Sequence, residues 1–88
     1  MKIEKIGYFL SVAKHLNFTK AAQECHIAQP AISRQMSSLE EELGFALFDR
    51  SSRKVRLTPA GQSFYTSMMR FVNDYDNGVD DRLFGKEQ

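Results

Sequence analysis

Residues 18–44 read FTKAAQECHIAQPAISRQMSSLEEELG. The pattern predicts a short helix, a tight turn and a longer helix. The short helix runs from Lys20 to about Cys25. Thr19 is placed to cap it, because a Thr hydroxyl accepts an otherwise unpaired N–H of the first turn. Ala21 and Ala22 are small and let another helix approach closely. His26 centres the turn, and its residue type tolerates positive φ better than most. Pro30 falls in the first turn of the second helix, where its missing N–H would be unpaired anyway. Ile32, Met36, Leu39 and Leu43 then recur at i, i+4, i+7 and i+11, one apolar stripe of an α-helix. Gly44 ends that helix in the position that favours glycine. The opposite face carries Pro30, Arg34, Ser37 and Ser38, with Gln29 and Ser33 beside it.

Ala22, Ile27 and Ile32 lie five residues apart, one on each helix and one in the turn. That is the layout of a helix-turn-helix, whose second helix places its N-terminal residues on base edges in the DNA major groove. The outward residues suit that task. Gln pairs bidentately with adenine, Arg with guanine or phosphate, and Ser with either. The plainer reading of the same stretch is a helical hairpin with a polar outer face.

The chain has 88 residues, 42% of them hydrophobic and 26% charged, which fits one small globular domain. No run approaches the ~18 apolar residues of a membrane span. The segment MKIEKIGYFL holds Glu4 and no long apolar core, so it does not read as a signal peptide. Cys25 is the one cysteine and has no internal disulfide partner, which points to a cytoplasmic location. Net charge is +1, but its distribution is uneven. Residues 1–58 carry nine Lys/Arg against six Asp/Glu, and residues 59–88 carry three against five. Arg50, Arg53, Lys54 and Arg56 fall within seven positions. Such a patch binds phosphates even on a nearly neutral chain.

Residues 2–16 predict an amphipathic helix, with Ile3, Ile6, Leu10 and Ala13 on one stripe and Phe9 and Leu16 widening it. His15 reads as a solvated residue at the helix end. Cys25 and His26 are adjacent and offer no metal-ligand spacing, so Cys25 reads as a small buried apolar residue. After Gly44 the period changes. Residues 45–50 read as a short strand and Ser51-Ser52 as a turn. Val55 and Leu57 then alternate with Lys54 and Arg56, as in a half-buried strand. The result is a β-hairpin with a basic tip, packed on the helices by Phe48 and Leu57. A helix-turn-helix followed by such a hairpin is a winged helix-turn-helix.

Thr58 and Pro59 open the last helix, as cap and first residue. From Gly61, a 4-3-4-3-4 rhythm places Tyr65, Met68, Val72, Tyr75 and Val79 on one stripe, with Phe64 and Phe71 beside it. Continued to Leu83, this helix would be about 37 Å long at ~1.5 Å per residue. An apolar band wider than one small domain can cover reads as a dimerisation surface. The acids among residues 74–81 fail the calcium-loop pattern, because Gly78 and Gly85 do not fall at its Gly and Glu positions. The final GKEQ reads as a disordered tail. No phosphate loop, nucleophile elbow or carboxylate pair suggests catalysis, and no metal or cofactor is expected.

The runs AAQECHIAQPAISRQMSSLEEELG and FDRSSRKVRLTPAG occur together, in order and at the spacing of one family. Over about residues 2–84 the chain resembles the N-terminal domain of bacterial LysR-type transcriptional regulators. The resemblance implies a mainly α winged helix-turn-helix over residues 1–58, a linker and dimerisation helix over 59–84, and a tail over 85–88. It implies a homodimer on pseudo-palindromic double-stranded DNA, with residues 29–43 in the major groove and the wing, about 48–57, at the minor groove. A small-molecule inducer would act through a further domain, so the chain reads as a fragment of a longer regulator, with a natural stand-alone domain as the alternative. Carried over by position, Gln29, Pro30, Ser33 and Arg34 match the recognition-helix residues. Arg53 matches the wing residue of the minor groove, Arg50 a flanking basic position, and Thr19 a cap that also touches phosphate. Tyr65, Met68, Val72 and Tyr75 form the dimerisation stripe. Ala28, Ser37, Ser38 and Cys25 depart from the family pattern. Ala28 loses a helix cap, the two serines lose basic charge, and Cys25 loses packing volume. The competing function is a winged-helix protein-interaction module that does not bind DNA. The basic hairpin and the Gln-Ser-Arg set favour DNA.

Overall fold

A computed structural model describes residues 2–76, with the backbone alone for Tyr75 and Asp76. Its elements are α1 (Ile3–His15), α2 (Phe18–Cys25), α3 (Gln29–Leu43), β1 (Phe48–Asp49), β2 (Arg56–Leu57) and α4 (Pro59–Asp76). The two strands pair antiparallel, with Phe48 opposite Leu57 and Asp49 opposite Arg56. The architecture is therefore mainly α, with a small wing.

The core forms where the helical stripes converge. Phe9 and Val12 of α1, Ala21 and Ala22 of α2, Ile32, Met36 and Leu39 of α3, and Leu47 and Phe48 before and in the wing are all buried. Burying each large side chain stabilises by roughly 1.5–3 kcal/mol. The aromatic rings join the elements. Phe9 lies 5.6 Å from Phe48 and 5.1 Å from Phe64, and Phe18 lies 5.6 Å from Phe48. The expected stripe of α3 is borne out, with Leu43 half-buried at its end.

Three expectations for the helices need correction. Leu16 does not widen the α1 stripe. It turns into the left-handed region (φ 49°), caps the helix through its N–H to Val12 O, and is 44% exposed. Val12, one turn earlier, is fully buried instead. Thr19 does not cap α2. The helix starts at Phe18, and the Asn17 side chain accepts from Lys20 N–H at 2.9 Å. His15 is not simply solvated, because its Nε2 lies 3.2 Å from Glu24 Oε1.

The turns follow their residue types. His26 has φ 60° and Gly44 φ 84°. The Ile27 N–H bonds Ala22 O at 3.0 Å, closing the turn between α2 and α3. The wing strands are shorter than the alternation suggests: Phe45 and Ala46 stay outside β1, and Phe45 is 41% exposed. Thr58 and Pro59 open α4 as expected, with Thr58 Oγ1 accepting from Gly61 N–H at 2.9 Å. The acidic segment beyond Asp76, Val79, Leu83 and the tail lie outside the described residues.

Candidate nucleic-acid interface

The α3 helix turns two faces outward and inward. Ile32, Met36 and Leu39 are fully buried, and Gln29, Pro30, Arg34 and Ser37 are exposed. Ser33 is half-buried at the margin. Ser38 leaves the outer face: it is half-buried and accepts from Lys5 Nζ of α1 at 2.8 Å. Lys5 also holds Glu42 at 2.9 Å, and that contact lowers the Glu42 carboxyl below its ordinary range. Ala28 precedes α3 without a side-chain cap, as its residue type requires. The Gln29 N–H then has no intrahelical partner and points out of the helix start.

Thr19 and Lys20 are exposed in the first turn of α2. Glu24, at the other end of α2, ties it to α1. It accepts from the buried Ser11 hydroxyl at 2.5 Å and from Lys14 Nζ at 2.6 Å. Lys14, then Ser11, hold the Glu24 carboxyl down to about 2. These bonds tie α2 to α1, and both helices pack against α3.

The wing supplies the positive charge. Arg53 and Lys54 are exposed, and their side chains make no hydrogen bond or ion pair among the described residues. Two local turns order the tip around them. Ser51 donates through both N–H and hydroxyl to Asp49 Oδ1, at 2.9 and 2.6 Å, and Ser52 Oγ donates to Lys54 O at 2.9 Å. The Ser51 bonds hold the Asp49 carboxyl low, with a smaller contribution from Arg56 across the ladder.

Arg50 is placed differently from Arg53. Its guanidinium lies 5.0 Å over the Phe18 ring, and Nη2 lies 3.5 Å from Glu40 Oε1. The other oxygen of Glu40 accepts from Leu47 N–H at 2.7 Å and Phe48 N–H at 3.1 Å. The sequence pattern singles out neither Asn17, Glu24 nor Glu40. Glu40 sits in a run of three glutamates, and its backbone partners are seven and eight residues away, just before and at the start of β1.

The last helix divides its stripe. Phe64 and Tyr65 pack on Phe9 of their own domain, at 5.1 and 6.3 Å. Met68 and Val72, further along, are half-buried, as are Met69 and Phe71. Tyr75 lies on the described backbone of α4, and its side chain is outside the described set. Among the described residues no group of His, Cys, Asp and Glu could hold a metal ion, and no helix is long and apolar enough to cross a membrane.

This geometry has close counterparts. The profile described as bacterial regulatory helix-turn-helix protein, lysR family, matches residues 3–62. The HTH-type transcriptional regulator BenM of Acinetobacter baylyi is 43% identical over 79 residues, which cover 90% of this chain and 26% of BenM. BudR of Klebsiella aerogenes is 46% identical over 72 residues, covering 82% of this chain and 50% of that protein. The chain thus spans about a quarter of BenM and half of BudR. Among solved structures, a complex of the BenM DNA-binding domain with benA site 1 DNA superposes with a TM-score of 0.83 at 43% identity, over 88% of this chain and 86% of that one. A CbnR DNA-binding domain–DNA complex gives 0.81 at 36% identity, over 98% of this chain and 100% of that one. The family model spans the helix-turn-helix and the wing, and this chain belongs to the LysR family of bacterial regulatory helix-turn-helix proteins.

Proposed function

We propose that this chain binds double-stranded DNA sequence-specifically, as the DNA-binding domain of a dimeric bacterial transcriptional regulator. The observation that carries the reading is the outward face of α3. Gln29, Pro30 and Arg34 stand exposed at its N-terminal half, while the same helix is anchored by three fully buried residues. A rigid helix presenting Gln and Arg near its start is what base-edge reading in a major groove needs. In this reading Gln29 and Ser33 contact bases, and Pro30 sets the helix start against the groove. Arg34 and Thr19 reach phosphate or base, Arg53 enters the minor groove, and Arg50 lies on the flanking backbone. The BenM and CbnR domains bound to DNA support it by likeness of fold and sequence.

Dimerisation through α4 is part of the same proposal, with Tyr65, Met68, Val72 and Tyr75 on the seam. A small-molecule inducer would act through a further domain of a longer protein, and the location would be cytoplasmic. No catalytic step and no cofactor is assigned to the chain.

Selection of bound sequences from random duplex DNA tests the reading. The expected result is enrichment of a pseudo-palindromic site with two half-sites about one helical turn apart. A selection that enriches nothing contradicts it and favours a protein-interaction role for the same fold.

A further inference from the structure

We propose that Glu40 is the positioning residue of the wing, and that it couples the angle of the wing to the recognition helix on which it sits. The inference rests on the DNA-binding reading above. Glu40 lies in the last turns of α3, about three turns beyond the exposed Gln29, and its side chain is 17% exposed. One carboxylate oxygen takes both backbone N–H groups that lead into β1, at 2.7 and 3.1 Å. The other faces Arg50, which follows β1 directly.

The base of the wing is seated by buried Leu47 and by Thr58, whose N–H donates to Leu47 O. The wing's ladder is two residue pairs long. A ribbon that short is not stable by itself and takes its orientation from what it packs on. Phe48 supplies the packing, between Phe9 and Phe18. Glu40 supplies direction, because charge-assisted hydrogen bonds are both stronger and more directional than apolar contact. Arg50 is 39% exposed, so its guanidinium is held on one side by Glu40 and Phe18 and remains open on the other. Glu40 therefore aims a cation at the outside while fixing the strand that carries it.

This assignment predicts a result opposite to simple electrostatics. Removing a carboxylate near a DNA-binding face should raise affinity for every duplex, because a like charge is lost. Removing a positioning carboxylate should lower affinity for the preferred site. The test compares Glu40→Gln with Glu41→Gln, since Glu41 is the exposed neighbour and lacks a wing contact. The Gln side chain keeps one acceptor oxygen for Leu47 and Phe48 but sets an NH2 against Arg50. Binding is measured by titration at fixed salt on the selected duplex and on a scrambled one.

Glu40→Gln is expected to weaken the selected duplex about tenfold, the size of one lost charge-assisted hydrogen bond. Glu41→Gln is expected to leave it unchanged or tighter. In an Arg50→Gln background, the effect of Glu40→Gln should shrink to less than about threefold, because the two residues act as a pair. Amide exchange, measured without DNA, gives an independent reading: Leu47 and Phe48 N–H should exchange faster in Glu40→Ala than in the parent chain. Equal effects of Glu40→Gln and Glu41→Gln, or full additivity with Arg50→Gln, overturn the proposal. A parent chain that does not distinguish the duplexes overturns the DNA reading instead, and the amide exchange then decides the anchoring role alone.

Discussion

A Cβ added to Gly61 would lie 2.1 Å from the carbonyl oxygen of Leu47, so the first turn of α4 touches the loop before the wing backbone to backbone. The same carbonyl accepts from Thr58 N–H at 2.9 Å, and Thr58 Oγ1 donates to Ala46 O at 2.6 Å. These contacts join α4 to the start of the wing and leave no room for a side chain.

Gly61→Ala should therefore destabilise the domain. Helix propensity alone would favour Ala over Gly by ~1 kcal/mol in a helix interior. Here the obstacle is backbone, which cannot swing aside, and overpacking of that kind costs about 1–3 kcal/mol. Urea denaturation should show a lower midpoint. A midpoint raised by the substitution would mean that Leu47 and Gly61 are not in contact.

The Glu24 clamp gives a pH dependence. Its carboxyl titrates at about 2 in the folded chain against an ordinary value of 4.5, so its contribution is present above about pH 4.5 and is lost as pH falls toward 2. Thermal unfolding followed between pH 6 and 2 should show a decline that Glu24→Gln flattens in the lower part. An identical pH profile in the variant would remove Glu24 as a cause.

Much of this fold is legible in the sequence because its helices repeat simple periods. Ile32, Met36 and Leu39 mark the buried face of α3, and Pro30, His26 and Gly44 mark its limits through their backbone preferences. The cap of α2 is less legible. Asn17 and Thr19 both can cap, and the choice depends on Phe18 entering the core, where it packs on Phe48. Glu24 and Glu40 are not legible at all, because their partners come from other elements and no local spacing records them. The contrast between Arg50 and Arg53 is hidden for the same reason: one has an aromatic ring and a carboxylate beside it, the other neither.

Assembly can be tested on α4. Met68 and Val72 are half-buried in the single chain and lie beyond the part of the helix that packs on Phe9. Replacing both by Asp should convert a dimer at micromolar concentration into a monomer, because unpaired charge in an apolar seam is costly. Light scattering checks it. A monomeric parent chain contradicts the assembly proposal.

Salt sensitivity follows from the wing and helix cations. In the proposed complex Arg34, Arg50 and Arg53 of two subunits would neutralise about six phosphates, so log affinity should fall with log salt at a slope near −5. Titrations at several salt concentrations measure it. A flat response would point to a protein partner rather than a polyanion.

The most direct measurement compares Gln29→Ala and Arg53→Ala on three kinds of duplex: the selected site, its single-base variants and a scrambled sequence, all at one salt concentration. Gln29 is exposed at the start of α3 and Arg53 at the tip of the wing, and neither is in the core. Both variants should keep the parent's fold. Gln29→Ala should cost ~1–3 kcal/mol at the selected site and relax preference at one base position per half-site. Arg53→Ala should weaken all duplexes more evenly, with a residual dependence on A·T-rich flanks through minor-groove width. If Gln29→Ala instead weakens every duplex equally and Arg53→Ala alters base preference at major-groove positions, α3 is not the reading element and the account is wrong.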